Sequence, residues 1–317
     1  MTMEILSHIK KSSKFHLGIH ICIFLTAIML IFARELKESV IKGMNLAVIQ
    51  IIPTVFPFMI LSDLWISCIE INRKSKIALC FENLIGINNT ALISLLSGIF
   101  CGFPLGVKTA VSLYESGIIS RNELERISPV ANLPSLAFVI SGVGLGLLGD
   151  AKIGIVLYIS VLAASIVLAA IEKPKEKIKQ NTGVIFKQNF NLMVSIQKAG
   201  TSSLIMAAYI SFFSAVIGIL DAILKSSLLT AILSTIFEVG SSTNLIANEA
   251  SFSHTMRLSL IAFSLGFSGM SVHFQAFTLL PGEVSRTKYL IRKLIIGIIS
   301  SLIFSAIFHL YKKSGCF

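Results

Sequence analysis

The chain has 317 residues, of which 54% are hydrophobic and 14% charged, with a formal net charge of +11 and a mean hydropathy of +0.84. Soluble domains carry roughly 25% charged residues, so this composition excludes a water-soluble globule, and long unbroken apolar runs exclude an alternating β-barrel. The expected fold class is all-α, a polytopic membrane protein with about 8–10 hydrophobic segments.

The positive charge does not form a nucleic-acid surface. It sits in short clusters between apolar runs: "KKSSK" from Lys10, "RKSK" from Arg73, "EKPKEKIK" from Glu172, "RTKYLIRK" from Arg286 and "YKK" at Tyr311. Such clusters face the cytoplasm and an anionic leaflet, so membrane lipids and no nucleic acid are expected as partners. The five cysteines (Cys22, Cys68, Cys80, Cys101, Cys316) are scattered singly, and no spacing suits a metal.

In chain order, the first apolar run is 17–33, behind a basic N-terminus. "FARELKES" follows where a small-residue cleavage site would stand, so an uncleaved helix is expected. The next run, 44–69, contains Pro53 and Pro57. Further spans are expected at 130–148, 153–171, 200–220, 258–280 and 290–310, since a crossing needs roughly 20 apolar residues. Two runs are too short. Residues 90–103 would reach only about 21 Å at 1.5 Å per residue, and 228–237 less. Short segments ending in Gly, Pro or Ser are candidates for re-entrant or broken helices. The division expected is N-terminal helices at 1–76, a first repeat at 77–171, a polar cytoplasmic loop at 172–198 and a second repeat at 199–317. The N-terminus and that loop should share a face, which requires an even number of crossings between them.

The two halves echo one another. "LLSGIFCGFPLG" from Leu95 matches "ILSTIFEVGSST" from Ile232, each reading L-S-x-I-F before a helix-breaking or polar patch. Each is followed by an interrupted apolar segment, "NLPSLAFVISGVGLG" from Asn132 and "LGFSGMSVHFQ" from Leu265. Paired interruptions at corresponding places in two halves point to a transporter's binding site.

The residues at these breaks are the candidates. Gly102, Pro104 and Gly106 interrupt the first short run, and Lys108 and Thr109 follow directly. A lysine inside a membrane costs roughly 2.5–3.5 kcal/mol on insertion scales. It therefore serves an anion with help from helix-terminal amides, or snorkels to the surface. Asn132 and Ser135 flank Pro134, which frees a backbone carbonyl; a plain helix cap is the alternative. Glu238 ends the second short run beside Ser241 and Ser242, where it suits Na⁺, H⁺ or a substrate amine, or is merely an interfacial acid. Ser268, Ser271 and Gln275 lie in the last interrupted segment with His273. That segment contains G-x-S-G, as intramembrane serine proteases do. On a helix, however, His273 would point about 140° away from Ser268. No H-E-x-x-H or nucleotide-hydrolysis motif occurs. No enzymatic activity and no cofactor is expected; coupling to Na⁺ or H⁺ stays open, as does homo-oligomer formation.

"GFPLGVKTAVSLYESGIISRNELERI" and "FEVGSS…LGFSGMSVHFQ" together resemble the sporulation integral membrane proteins of the YlbJ type, from endospore-forming bacteria. These fall within the larger group carrying nucleoside-recognition, or gate, domains. "GVKTAVSLY" and "GFSGMSV" are also similar to motifs of concentrative nucleoside transporters. Where those carry Asn-Glu, this chain has Ser112 and Leu113, which disfavours a ribose and shifts the expected substrate toward an anion. The resemblance implies inverted repeats with re-entrant hairpins, elevator-like movement, and transport of dipicolinate into the forespore across its outer membrane. A nucleoside or nucleobase transporter, or a non-transporting membrane scaffold for spore maturation, are the alternatives.

Overall fold

The computed structural model describes residues 19, 20, 22–68, 76–174 and 191–313, and those residues are helical, with no strand among them. The basic clusters at 10–14 and 73–75 and most of the 172–198 loop lie outside the described residues, as do Cys316 and the start of the first span. The described helices begin with α1 (Cys22–Ile31) and α2 (Ala33–Asn45). A π-helical turn then leads into α3 (Ile52–Cys68), which carries Pro57 inside it, and α4 is Lys76–Ile85. Among the described residues, four helices are long and apolar enough to cross a bilayer, five if the pair Ala33–Ile51 and Val55–Leu61, bent by 52°, counts as one.

The first half then builds a hairpin from α5 (Leu92–Cys101) and α6 (Leu105–Glu115). Arms of 10 and 11 residues reach about 15 Å, only to mid-bilayer. The open end is tied shut: Asn88 Nδ2 donates to the Ile118 carbonyl at 3.4 Å, and Glu123 accepts from the Asn88 amide at 2.8 Å. Next comes α7 (Arg121–Ala131), opened by a Ser120–Glu123 capping box. It stops at Asn132, and the chain resumes as a π-helical arm, Phe138–Leu147. The two arms run antiparallel to α8 (Ala151–Ile171). Arg126 reaches the Ala169 carbonyl at 3.3 Å near the end of α8, while Gly144 packs directly on Gly154 near its start.

The second half repeats this order. After the 33-residue α9 (Leu192–Leu224), α10 (Ser227–Phe237) and α11 (Val239–Asn248) form another half-depth hairpin. At its exposed open end the Glu249 carboxylate accepts from Ser251 and Ser227, which hold it below the usual carboxylate range. A broken span follows, α12 (His254–Phe267) and α13 (Gly269–Leu279), and then α14 (Arg286–Lys313). The last two lie antiparallel, with Ser259 bonded to Ser305 at 2.8 Å and the His273 and Tyr289 rings 5.7 Å apart.

Among the described residues, the α7 segment with its continuation, α8 and α9 lie between the two hairpins. The first hairpin's open end sits beside Glu123 of α7 and the second's beside Ser227 and Ser251 at the far end of α9, so the two hairpins point in opposite directions. One face gathers Arg121, Arg126, Lys173, Arg286, Lys288 and Arg292, locked together by Arg292–Glu172 at 2.8 Å and by a bond from Arg121 to the Glu283 carbonyl.

Several spans differ from the sequence reading. The 44–69 span begins earlier, because the polar α2 packs along α9, with Gly43 against Ser214. The 200–220 span extends to Leu192, so Lys198 lies in a helix and not in the loop. The 130–148 span is the second half of a longer broken one, whose first half is the charged α7. Its Arg126 donates to the carbonyls of Ile85 and Gly86.

Candidate functional site

The breaks converge. Gly102 and Phe103 from the first hairpin tip, Ser135 from the first broken span, Glu238 from the second tip, and Ser271 and Gln275 from α13 line one cavity. Its sides are apolar, with Ile51, Met206 and Phe138. Each tip sits on the broken span of its own half. Gly102 has φ 78, and a Cβ there would stand 2.8 Å from the Ser135 amide nitrogen. Gly269 has φ 75, and a Cβ there would stand 3.0 Å from the Glu238 nitrogen. Only glycine meets both demands. The cavity holds about 30 Å³, room for a water or two, so a larger solute requires the tips to part.

Three helices begin at this cavity: the 138–147 arm, α11 and α13. Each carries partial positive charge on unbonded amides. Two are filled from within. The buried Glu238 carboxylate caps α11, accepting from Gly240 N at 2.8 Å and from Ser241 N. Ser135 Oγ accepts from Phe138 N at 3.2 Å. The third, α13 behind Ser268, has no side-chain cap; nor has α6 behind Pro104, whose first residue Leu105 lines the neighbouring cleft. The centre therefore offers uncapped amides beside one built-in carboxylate, and no basic side chain lines it among the described residues.

Lys108 lies elsewhere. It is exposed one turn along α6 and lines a separate cleft of about 60 Å³ with Thr109, Ser112, Asp63 and Lys198. This cleft touches the central cavity through Cys101, which lines both, and lies on the side of the basic face. Thr109 Oγ1 donates to the Leu105 carbonyl and to Ser97 Oγ, each at 3.0 Å. On the other side, a larger cleft of about 360 Å³ runs along α11 past Thr243 and Asn244 and shares Ile51, Phe138 and Gly240 with the cavity. A narrow centre thus stands between two vestibules.

The remaining candidates hold helices together. Gly106 packs against the Ala131 carbonyl. Ser241 bonds Ser214 at 2.9 Å and faces a third cleft, beside α2. Ser242 pairs with Ser264 across to α12, and Ser268 has φ 77 and donates to Leu265 O at 3.1 Å. Asn132 is fully buried behind the cavity, where its carbonyl accepts from Lys293 Nζ at 2.9 Å and its amide bonds Tyr289. A cation at the carboxyl end of α7 complements the helix dipole.

Sequence reasoning missed Lys293, taken as part of a surface cluster, and the pair Asp63–Lys198, 3.1 Å apart. For Lys293 a signal existed. Tyr289, Lys293, Ile296, Ser300 and Phe304 recur at helical spacing and are all buried, so the lysine sits on the inward stripe.

No family model and no solved structure matches the chain. It is similar to the sporulation integral membrane protein YlbJ of Bacillus subtilis (strain 168), 22% identical over 88% of this chain and 79% of that protein. The chain is thus a distant relative of an integral membrane protein of sporulation, and its own spans make it an integral membrane protein.

Proposed function

We propose that the protein is a secondary carrier or facilitator for a small anionic metabolite, most concretely dipicolinate, moved into the developing forespore through its outer membrane. The observation that carries this reading is the convergence of both hairpin tips and both broken spans on one cavity between two vestibules. Irregular backbone at membrane depth is tolerated where it lines a cavity, and inverted repeats with opposed half-helices suit alternating access. Uncapped N-termini of α6 and α13 favour a carboxylate, and Lys108 adds a cation on the route from the basic face. The relative named above supports sporulation as the setting, and the position of Ser112 and Leu113 argues against a ribose. Leu113 is fully buried, so it offers a nucleoside nothing. Purified protein in vesicles should take up labelled dipicolinate saturably and ignore labelled uridine. Uridine uptake with no dipicolinate uptake would reassign the substrate, and uptake of neither by folded protein would favour a scaffold.

A further inference from the structure

The cleft on the basic face is more than a passage. Lys198 Nζ lies 3.2 and 3.1 Å from the two Asp63 carboxylate oxygens, and Ser195 Oγ donates to the same carboxylate at 2.7 Å. Lys108 lines the same cleft, and its side chain makes no hydrogen bond or ion pair among the described residues. One wall therefore displays a carboxylate already seated on an ammonium and a hydroxyl; the other displays an ammonium with nothing on it, flanked by Ser112. We propose that this cleft is a first docking site for a small dicarboxylate. One carboxylate pairs with Lys108 and the other takes the place of Asp63 on Lys198, and Asp63 is the competitor that keeps the docking weak and releasable. A solute that must pass on has to be held loosely enough to leave, and an internal carboxylate exchanging with the ligand does this without any conformational lock. The charges agree. With both lysines and Asp63 present, a bound dianion leaves the cleft at −1; without the Asp63 charge it comes to zero.

This inference rests on the carrier reading for its substrate class but is tested by binding alone. Detergent-solubilised full-length protein would be titrated calorimetrically with pyridine-2,6-dicarboxylate and, separately, with pyridine-2-carboxylate. Asp63→Asn should bind the dicarboxylate about fivefold tighter, and Lys108→Gln and Lys198→Gln about tenfold weaker each. The gain from Asp63→Asn should vanish in a Lys198→Gln background, because the acid acts through that lysine. The monocarboxylate should respond far less to the loss of either lysine. A purely structural ion pair predicts the opposite sign for Asp63→Asn, weaker binding and a lower unfolding temperature, and that result would overturn the proposal. So would wild-type affinity in Lys108→Gln, an exposed position where folding is not at stake. If vesicle uptake persists while these affinities are flat, the docking site fails and the carrier stands; the reverse pattern sinks the carrier alone.

Discussion

The two hairpin tips solve one geometric problem with different chemistry. In the first, three residues, Gly102, Phe103 and Pro104, separate the arms; the new helix starts uncapped, and Lys108 stands one turn along it. In the second, Glu238 alone makes the turn and folds its carboxylate back onto the amides of α11. Symmetry of backbone thus coexists with asymmetry of charge. One tip starts its second arm without a side-chain cap, and the other arrives with its own anion. A carrier built from two identical tips would offer an anion two equivalent places. On the carrier reading proposed above, the first tip is the one expected to receive a carboxylate.

Substitutions at the two tips test this difference. The largest effect is expected from Gly102→Val, which forces a branched side chain into a left-handed turn and into the Ser135 backbone. It should cost more than about 3 kcal/mol and abolish monodisperse protein on gel filtration. Glu238→Ala makes the second tip resemble the first by removing its cap. A loss of about 2 kcal/mol, read as a lower unfolding temperature in detergent, is expected, with Glu238→Gln recovering part of it. Lys108→Met removes the cation from the first tip. Because the residue is exposed, the fold should survive while dicarboxylate uptake falls about tenfold in kcat/KM, the equivalent of about 1.4 kcal/mol. The smallest effect is expected from Ser268→Gly. A serine at φ 77 is strained where glycine is not, so the variant should be stabilised by up to about 1 kcal/mol.

Much of the fold was legible because helix breaks are local events. Gly102, Pro104, Pro134 and the Ser268–Gly269 pair announce themselves by missing amide hydrogens or a tolerance for positive φ, so the interruptions fell where expected. What stayed hidden depends on long-range partners. Nothing near Arg126 in sequence says that it will be paired with the carbonyls of Ile85 and Gly86, so the expected span began only at 130 and left out the charged α7. The site divides in the same way. The breaks predicted Gly102, Ser135, Glu238, Ser271 and Gln275, and these share one cavity. Lys108 and Asn132 stand next to them in sequence yet face other surroundings, since one helical turn or one residue past a break changes which neighbour a side chain meets. Asp63 and Lys198, which lie 135 positions apart, left no local trace.

In a carrier of this kind the central cavity opens to both faces in turn. A cysteine at Gln275, in a background lacking the native cysteines and reconstituted in vesicles, would be challenged with a membrane-impermeant thiol reagent from outside and then from inside. Labelling from both sides, slowed from both by dipicolinate, is the predicted result. Labelling from one side alone, indifferent to dipicolinate, would contradict it.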